Sequence, residues 1–238
     1  MKKVAIGFIG TNKYASFFDN FYRSVKLFFL PDCEKTILFF TDITPLNIPP
    51  DVIVIPIEHK PWPLVTLERF ESIIKAKTAI KQQDWFIYLD ADMVINTTIT
   101  SADFFNTEKE WFGVQHPGFI NGGGTFECRK KSRASVSPTT DNLTVYWQGC
   151  LWGGKAASVI SLCEELSDRT SKDLVDGIIA VWHDESHLNK FFVDNADNVH
   201  TLSASYAYPE KWELPIEKKI IHVDKGFPSP EAFLRNSQ

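Results

Sequence analysis

The chain has 238 residues, 44% hydrophobic and 13% aromatic, which is enough to bury a sizeable core and unlike a disordered or fibrous composition. A formal charge of −5 offers no general attraction for nucleic acid or an anionic membrane, so any anionic ligand has to be gripped by a local pocket. The opening MKKVAIGFIGTNKY is broken by glycines and reads as a first strand, not a signal peptide, and no run of about eighteen apolar residues follows. The expectation is a cytoplasmic protein with no membrane span, whose Cys33, Cys128, Cys150 and Cys163 are reduced and lack paired metal spacing.

Residues 4–9 form a short, β-branched apolar run that ends in Gly10-Thr11-Asn12-Lys13-Tyr14. A glycine-bearing turn after a strand is a usual place to receive a nucleotide, although the three spaced glycines of the dinucleotide fingerprint are missing. Phe17, Phe21, Val25 and Phe28 then recur at helical spacing and are expected in the core. Residues 36–41 and 52–55 read as further strands, nearly continuous in apolar residues as expected of a parallel sheet covered on both faces, with a proline-rich connector between them. Past the stiff corner Pro61-Trp62-Pro63, the spacing of Leu67, Phe70 and Ile74 predicts a helix running to about Gln83. Arg69 falls off that stripe, where a solvated charge is the ordinary reading.

The stretch Trp85 to Ile95 carries a hydrophobic strand straight into Asp90 and Asp92. Two carboxylates at a strand end repel each other unless donors or a cation hold them, and a hard divalent ion with oxygen ligands does so. A turn that merely contains aspartate is the plainer alternative, weakened by the strand-like residues that follow Asp92. Residues 111–115 predict another strand, and Asn121-Gly122-Gly123-Gly124 a flexible loop. The cluster Arg129, Lys130, Lys131 and Arg133 reads as a solvated face. Three aromatics among three glycines in Tyr146 to Gly154 suggest backbone brought close to a flat ligand, with a core strand and turn as the alternative. Val159, Leu162, Cys163 and Leu166 then mark the buried face of a helix.

Residues 182–190, WHDESHLNK, concentrate the chemistry. On a helix Trp182, Glu185 and Asn189 share one face and His183 and His187 another. Two histidines four apart resemble a helical zinc motif, but that motif needs its glutamate directly after the first histidine, where Asp184 stands here. An acidic first turn with Trp182 in the core is the plainer reading of this stretch taken alone. Beyond it the sequence looks irregular, with Tyr206, Tyr208, Pro209 and Trp212 suited to close one side of a cleft, and a basic tail carrying Lys218, Lys219, Lys225 and Arg235. Absence of repeats, low-complexity tracts and linkers favours one domain over residues 1–238.

FFTD (39–42), PWPLVTLERF (61–70), LDADMV (89–94), HPGF (116–119), YWQGCLWGG (146–154) and VWHDESHLNK (181–190) together resemble the glycosyltransferase family that includes the histo-blood-group A and B transferases and α-1,3-galactosyltransferase. The motifs follow that family's order over nearly the whole chain, and the last is the most specific. The resemblance implies a GT-A fold, with a Rossmann-like, mostly parallel central sheet covered by helices on both faces. It implies a UDP-sugar donor (UDP-galactose or UDP-N-acetylgalactosamine), Mn2+, and α-linked transfer with retained configuration to the 3-hydroxyl of a β-galactoside glycan. By position it assigns Asp90 and Asp92 to the metal and Glu185 to catalysis. It further assigns Ile9, Thr11 and Tyr14 to uridine, Arg69 and Asp184 to the donor sugar, and Lys225 and Arg235 to the diphosphate. Gln148 and Cys150 fall where the family chooses its donor sugar, the bulk of Cys150 favouring galactose, and His116 and Trp182 match acceptor contacts. The family's acidic acceptor contact is matched by Tyr208-Pro209 in LSASYAYPE; the expected lack of an anchor and stem resembles the family's short microbial members, and retention of both aspartates predicts metal dependence. The resemblance also implies a division at about residue 95 into nucleotide-binding and acceptor-binding halves. One carboxylate then suffices, because UDP leaves as a stabilised anion, whereas a retaining hydrolase needs a second carboxyl to protonate its leaving group. The alternatives are a retaining transferase using another nucleotide sugar such as UDP-glucose, and a silent carbohydrate-binding module.

Overall fold

A computed structural model describes residues 1–224; Lys225 and Arg235 lie outside the described residues. In chain order the elements are β1 (Lys3–Ile9), α1 (Phe18–Phe28), β2 (Glu34–Thr41), β3 (Val52–Pro56), α2 (Leu64–Leu67), α3 (Arg69–Ile74), α4 (Lys77–Ile80), β4 (Trp85–Leu89) and β5 (Met93–Ile95). There follow α5 (Ser101–Phe104), β6 (Trp111–Gln115), β7 (Trp147–Lys155), α6 (Ala156–Val175), α7 (His183–Asp194), β8 (Val199–Leu202), β9 (Tyr208–Pro209) and β10 (Ile220–His222).

The result is a mixed α/β single domain of the GT-A-like kind. Its central sheet has seven strands in the order β3-β2-β1-β4-β7-β6-β8, and a second sheet has the order β5-β10-β9. In the central sheet only β7 runs antiparallel to its neighbours, so most pairs are parallel as expected. Aliphatic and aromatic runs such as 85–89 are buried on both faces, which is why they lack the alternation of a half-wet strand. Phe21 and Val25 of α1 pack with Phe8, Phe39 and the small sheet on one face, while Phe70, Val159, Leu162, Cys163, Leu166 and Phe192 fill the other. The flanking Phe17 and Phe28 are only partly buried against the first layer. No helix among the described residues is long and apolar enough to cross a membrane.

Several sequence expectations need correction. The helix expected through Gln83 is three short pieces, and Ile73, not Ile74, joins Leu67 and Phe70 in the core. The last part of the chain is not irregular: β8, β9 and β10 complete the two sheets. Tyr206 and Tyr208 are core residues with little or no exposure and do not wall a cleft; Trp212 is 45% exposed. Lys218 and Lys219 lie over the rings of those tyrosines at 4.7 and 5.0 Å. The basic segment is tied down by two buried acids. Glu127 accepts from Arg129 Nε and from the Val181 backbone N–H, and Asp173 accepts from Ser132 Oγ and Arg133 Nη1.

The glycines of β7 serve the sheet, with one exception. A Cβ at Gly153 would stand 2.2 Å from the Phe86 carbonyl oxygen, and one at Gly154 would stand 2.2 Å from that of Glu110. Those neighbours are backbone of adjoining chain, not a flat ligand. Only Gly149 faces the acidic end of α7, its hypothetical Cβ 3.4 Å from Glu185 Cβ. Gly153→Ala is expected to lower stability by about 1–3 kcal/mol, the range for overpacking, read as a fall in the urea midpoint at unchanged m-value. A midpoint equal to wild type would mean that β7 can move off β4 freely.

Candidate functional site

The order 3-2-1-4 reverses direction between β1 and β4, and such a switch point opens a crevice at the carboxyl ends of the strands. Here it forms a cavity of about 280 Å3 lined by Ile9, Thr11 and Tyr14 after β1, Asp90 and Asp92 after β4, Gln148 to Cys150 of β7, and Trp182 to Glu185. Arg69, Tyr88 and His222 complete its polar lining. Eleven of the residues singled out from the sequence are thereby brought together. His116 is not on that surface; its Nδ1 accepts the Gly118 N–H, and its ring packs on Tyr146, whose hydroxyl reaches Glu185.

β4 stops while β7 continues, and that mismatch builds the site. The last β4–β7 pair is Leu89 with Leu151, and on the other edge the β6 register jumps from Gly113–Trp152 to Val114–Gln148. Residues 147–150 therefore lack a strand on the β4 side. Helix α7 stands in its place. Asn189 accepts the Trp147 N–H at 2.9 Å and donates to the Trp147 carbonyl at 2.7 Å, while Glu185 Oε2 accepts the Gly149 N–H at 2.8 Å. The Asp90 N–H closes the remaining gap by donating to the Cys150 carbonyl at 2.9 Å. Asn189 also donates to the Glu185 carbonyl, so one amide fixes both the strand and the residue beside it.

Glu185 has its second oxygen engaged as well, accepting from Tyr146 Oη at 2.8 Å. Burial pushes its carboxyl up to about 7, the two donors pulling the other way. Burial and the nearby carboxylate push the Tyr146 phenol far above its ordinary range, so it stays protonated and donates. Asp184 is lifted by burial to about 6, opposed by Arg69. The Arg69 guanidinium is 8% exposed, contrary to the solvated charge that its place in the sequence suggests. It lies 2.9 Å from Asp184 through Nε, off the hydrogen-bond axis, and 3.2 Å from Asp90 through Nη1, which also donates to the Gly149 carbonyl. Its plane covers Tyr88, 4.8 Å from the ring centre, and Tyr88 Oη donates to Asp90 at 2.7 Å.

Asp92 is 2% exposed, and its Oδ2 is 3.0 Å from His222 Nε2. One ligand atom each from Asp90, Asp92 and His222 lies within 4.8 Å of the others. Two carboxylate oxygens and an imidazole nitrogen facing one space suit a divalent ion, so these residues fit the metal that the sequence implies. The lining holds four carboxylates against one guanidinium. Gln148 Oε1 is buried without a hydrogen-bond partner and Cys150 is 2% exposed, both on this surface. Burial beside Asp90 and Asp92 raises the Cys150 thiol, which stays neutral.

Trp182 caps α7 from outside its first turn and is 46% exposed, so it belongs to the rim and not the core. The two histidines of the stretch part company. His183, in the left-handed region at φ 51°, sets its ring edge-on to Trp62, whereas His187 is fully buried with Asp173 3.7 Å from Nε2. That separation removes the zinc reading. Sequence reasoning missed His222, Tyr146, Tyr88 and the clamp role of Asn189. His222 is 130 positions from Asp92 and gives no local signal, whereas Asn189 was legible as sharing the face of Glu185.

A sequence profile described as glycosyltransferase family 6 matches residues 1–229. The O-antigen biosynthesis glycosyltransferase WbnI of Escherichia coli is 34% identical over 227 residues, 93% of this chain and 94% of its own length. The human globoside alpha-1,3-N-acetylgalactosaminyltransferase 1 is 27% identical over 232 residues, 92% of this chain and 64% of that protein. The rat histo-blood group ABO system transferase 1 is 28% identical over 241 residues, 94% of this chain and 66% of that one. The chain thus spans just under two thirds of these two mammalian relatives. A match that runs nearly from end to end, around a crevice where a glycosyltransferase would bind its donor, makes this protein a member of glycosyltransferase family 6.

Proposed function

We propose that the protein is a Mn2+-dependent retaining transferase that moves galactose or N-acetylgalactosamine from a UDP-sugar to the 3-hydroxyl of a β-galactoside glycan, forming an α-1,3 linkage in the cytoplasm. The observation that carries this reading is the charge of the cleft. Among the described residues four carboxylates with one guanidinium repel a diphosphate, and a divalent cation placed between them and the donor offsets that repulsion. When bound by Asp90 and Asp92, that ion supplies charge neutralisation for the departing diphosphate.

The remaining roles are those that the resemblance to the family implies. Ile9, Thr11 and Tyr14 flank the end of β1 and take the uridine, with the Thr11 hydroxyl 2.9 Å from His59 Nδ1. Arg69 orients Asp90 and Asp184, and Asp184 receives the donor sugar's hydroxyls. Gln148, with its unpartnered buried oxygen, and Cys150 contact the part of the sugar that differs between the two donors. Trp182 offers an aromatic platform to the acceptor, and His116 buttresses Tyr146 on the same side. Lys225 and Arg235 are assigned to the diphosphate. In this division residues 1–95 chiefly bind nucleotide and residues 96–238 the acceptor.

Glu185 faces the anomeric carbon. Two routes use it. In the first its carboxylate forms a bond to that carbon as the carbon–phosphate oxygen bond breaks, and the acceptor oxygen then displaces it. In the second it stabilises the positive ring while the acceptor oxygen bonds from the same face. In both, the acceptor's proton ends on the released phosphate, so no second carboxyl is required. The relatives' names support the linkage, since one is named for alpha-1,3-N-acetylgalactosaminyl transfer.

A screen of UDP-galactose, UDP-N-acetylgalactosamine and UDP-glucose with Mn2+ against lactose and 2′-fucosyllactose tests the reaction. The expected result is UDP release and an α-1,3-linked product from one of the first two donors. Turnover confined to UDP-glucose overturns the donor assignment, and absence of both turnover and UDP binding indicates a silent sugar-binding protein. Glu185→Gln is expected to lower kcat by about two to four orders of magnitude with donor affinity kept. A near-normal rate removes Glu185 from the chemistry.

The lifted Glu185 carboxyl sets the pH response. Because the reaction needs the ionised form, kcat/KM for the donor is expected to rise about tenfold per pH unit on the acid side and to level off above about 7. Stability runs the opposite way. The folded value of about 7 exceeds the ordinary 4.5, so the native state binds the extra proton between them and loses stability as pH rises through that window, by up to about 3 kcal/mol. Glu185→Gln therefore gains on wild type in melting temperature between pH 5 and 8; a constant difference across that range contradicts the assignment.

A further inference from the structure

We propose that His222 is a third protein ligand of the divalent ion, so that the site is Asp-Asp-His and not a pair of aspartates alone. This rests on the reading that Asp90 and Asp92 hold the ion. Sheet register, not a loop, places the ring. β10 pairs antiparallel with β5 so that His222 stands opposite Met93, the residue next to Asp92, and parallel with β9 opposite Pro209. The Val223 N–H donates to the Asp92 carbonyl at 2.9 Å, locking the strand on the far side of the ring. The imidazole is thereby delivered to the buried aspartate by backbone hydrogen bonds on both sides of it.

Nε2 of His222 is 3.0 Å from Oδ2 of Asp92, a hydrogen-bond distance, and one ligand atom each from Asp90, Asp92 and His222 lies within 4.8 Å of the others, close enough for a single ion to take all three. Asp90 has Oδ1 engaged by Tyr88 and Arg69, which leaves its other oxygen for the ion. Asp90, Asp92 and His222 all line the cavity, so an ion they held would face the space proposed for the diphosphate.

A nitrogen ligand changes what the site selects. Oxygen-only sets suit Mg2+, Ca2+ and Mn2+ alike, whereas imidazole binds first-row divalent ions better than it binds Mg2+ or Ca2+, so His222 biases the site away from Mg2+ and leaves Mn2+ and the ions after it in the series acceptable. It also raises the number of protein ligands from two to three, enough to hold the ion before the nucleotide arrives.

The test is Mn2+ binding to the full chain, followed by electron paramagnetic resonance without and with UDP. The expected result is binding in the absence of UDP, with a nitrogen modulation in the pulsed spectrum that changes when histidine is labelled with 15N. His222→Gln is expected to abolish the modulation and weaken Mn2+ by about tenfold or more while changing Mg2+ affinity by less than about twofold. The wild-type spectrum needs no variant to fold. Mn2+ bound by wild type without a nitrogen modulation, or with a modulation that His222→Gln retains, overturns the His222 assignment and leaves the aspartate pair standing. No Mn2+ binding with or without UDP, or binding unchanged in Asp92→Asn, overturns the aspartate reading and this proposal with it.

Discussion

The Arg69 guanidinium is the interaction on which the cleft depends. It is buried where the ends of β4, β7 and α7 meet, within ion-pair distance of Asp90 and Asp184 and donating to the Gly149 carbonyl. An arginine buried among carboxylates gains little net stability, because desolvation of the charges offsets most of their attraction, whereas losing one partner strands the other. Its value is therefore positional. It holds two acidic groups from distant parts of the chain at fixed separation in a region that water does not level, which is what preorganised electrostatics requires. Tyr88 supports the same arrangement from below by carrying the guanidinium on its ring and donating its hydroxyl to Asp90.

The second constraint is the place where the sheet ends early. A strand without a neighbour exposes N–H and carbonyl groups that must be satisfied, and here α7 satisfies them with side chains. Asn189 serves Trp147, and Glu185 serves Gly149. Glu185 is consequently part of the sheet's hydrogen bonding as well as the wall of the cavity. Its orientation is set by the fold before any ligand is present, and the Tyr146 hydroxyl fixes the remaining oxygen. Stability and positioning come from the same bonds, and that gives the carboxylate proposed for the chemistry a firmer seat on the first turn of a helix than a loop would provide.

This division also explains what was legible in the sequence. Strands buried on both faces show as apolar runs, so the β1, β2, β3, β4 and β6 segments were readable with small errors at their ends. The acids Asp90, Asp92, Asp184 and Glu185 were conspicuous because a strand end and a helix start rarely gather so many charges. Arg69 was hidden by the general rule that arginines are exposed; only the resemblance pointed inward. The glycines of β7 misled for a related reason, since crowding by neighbouring backbone at Gly153 and Gly154 leaves the same trace as crowding by a ligand. His222, Tyr146 and Tyr88 reach the site through pairings between segments far apart in sequence, and no local pattern records such a pairing. The separation of His183 from His187 depends on a backbone turn at His183 that a helical wheel cannot represent.

The cleft's charge is conditional, and this links its parts. Burial lifts Asp184 to about 6 and Glu185 to about 7, because each is held near other carboxylates in a poorly solvated space. A cation entering beside Asp90 and Asp92 reduces that repulsion, and linkage requires the effect to be mutual: whatever makes Glu185 easier to ionise is itself bound more tightly once Glu185 is ionised. A diphosphate arriving without the cation works in the opposite direction, adding charge to a surface that already resists it. For the proposed reaction the physical order that follows is cation first or cation together with nucleotide, and the full negative charge of Glu185 would develop when the donor's leaving group has been neutralised. The carboxylate would then be most strongly anionic in the assembled complex, where the proposed chemistry places positive charge on the sugar ring, and less so in the open cleft where it would only destabilise the fold.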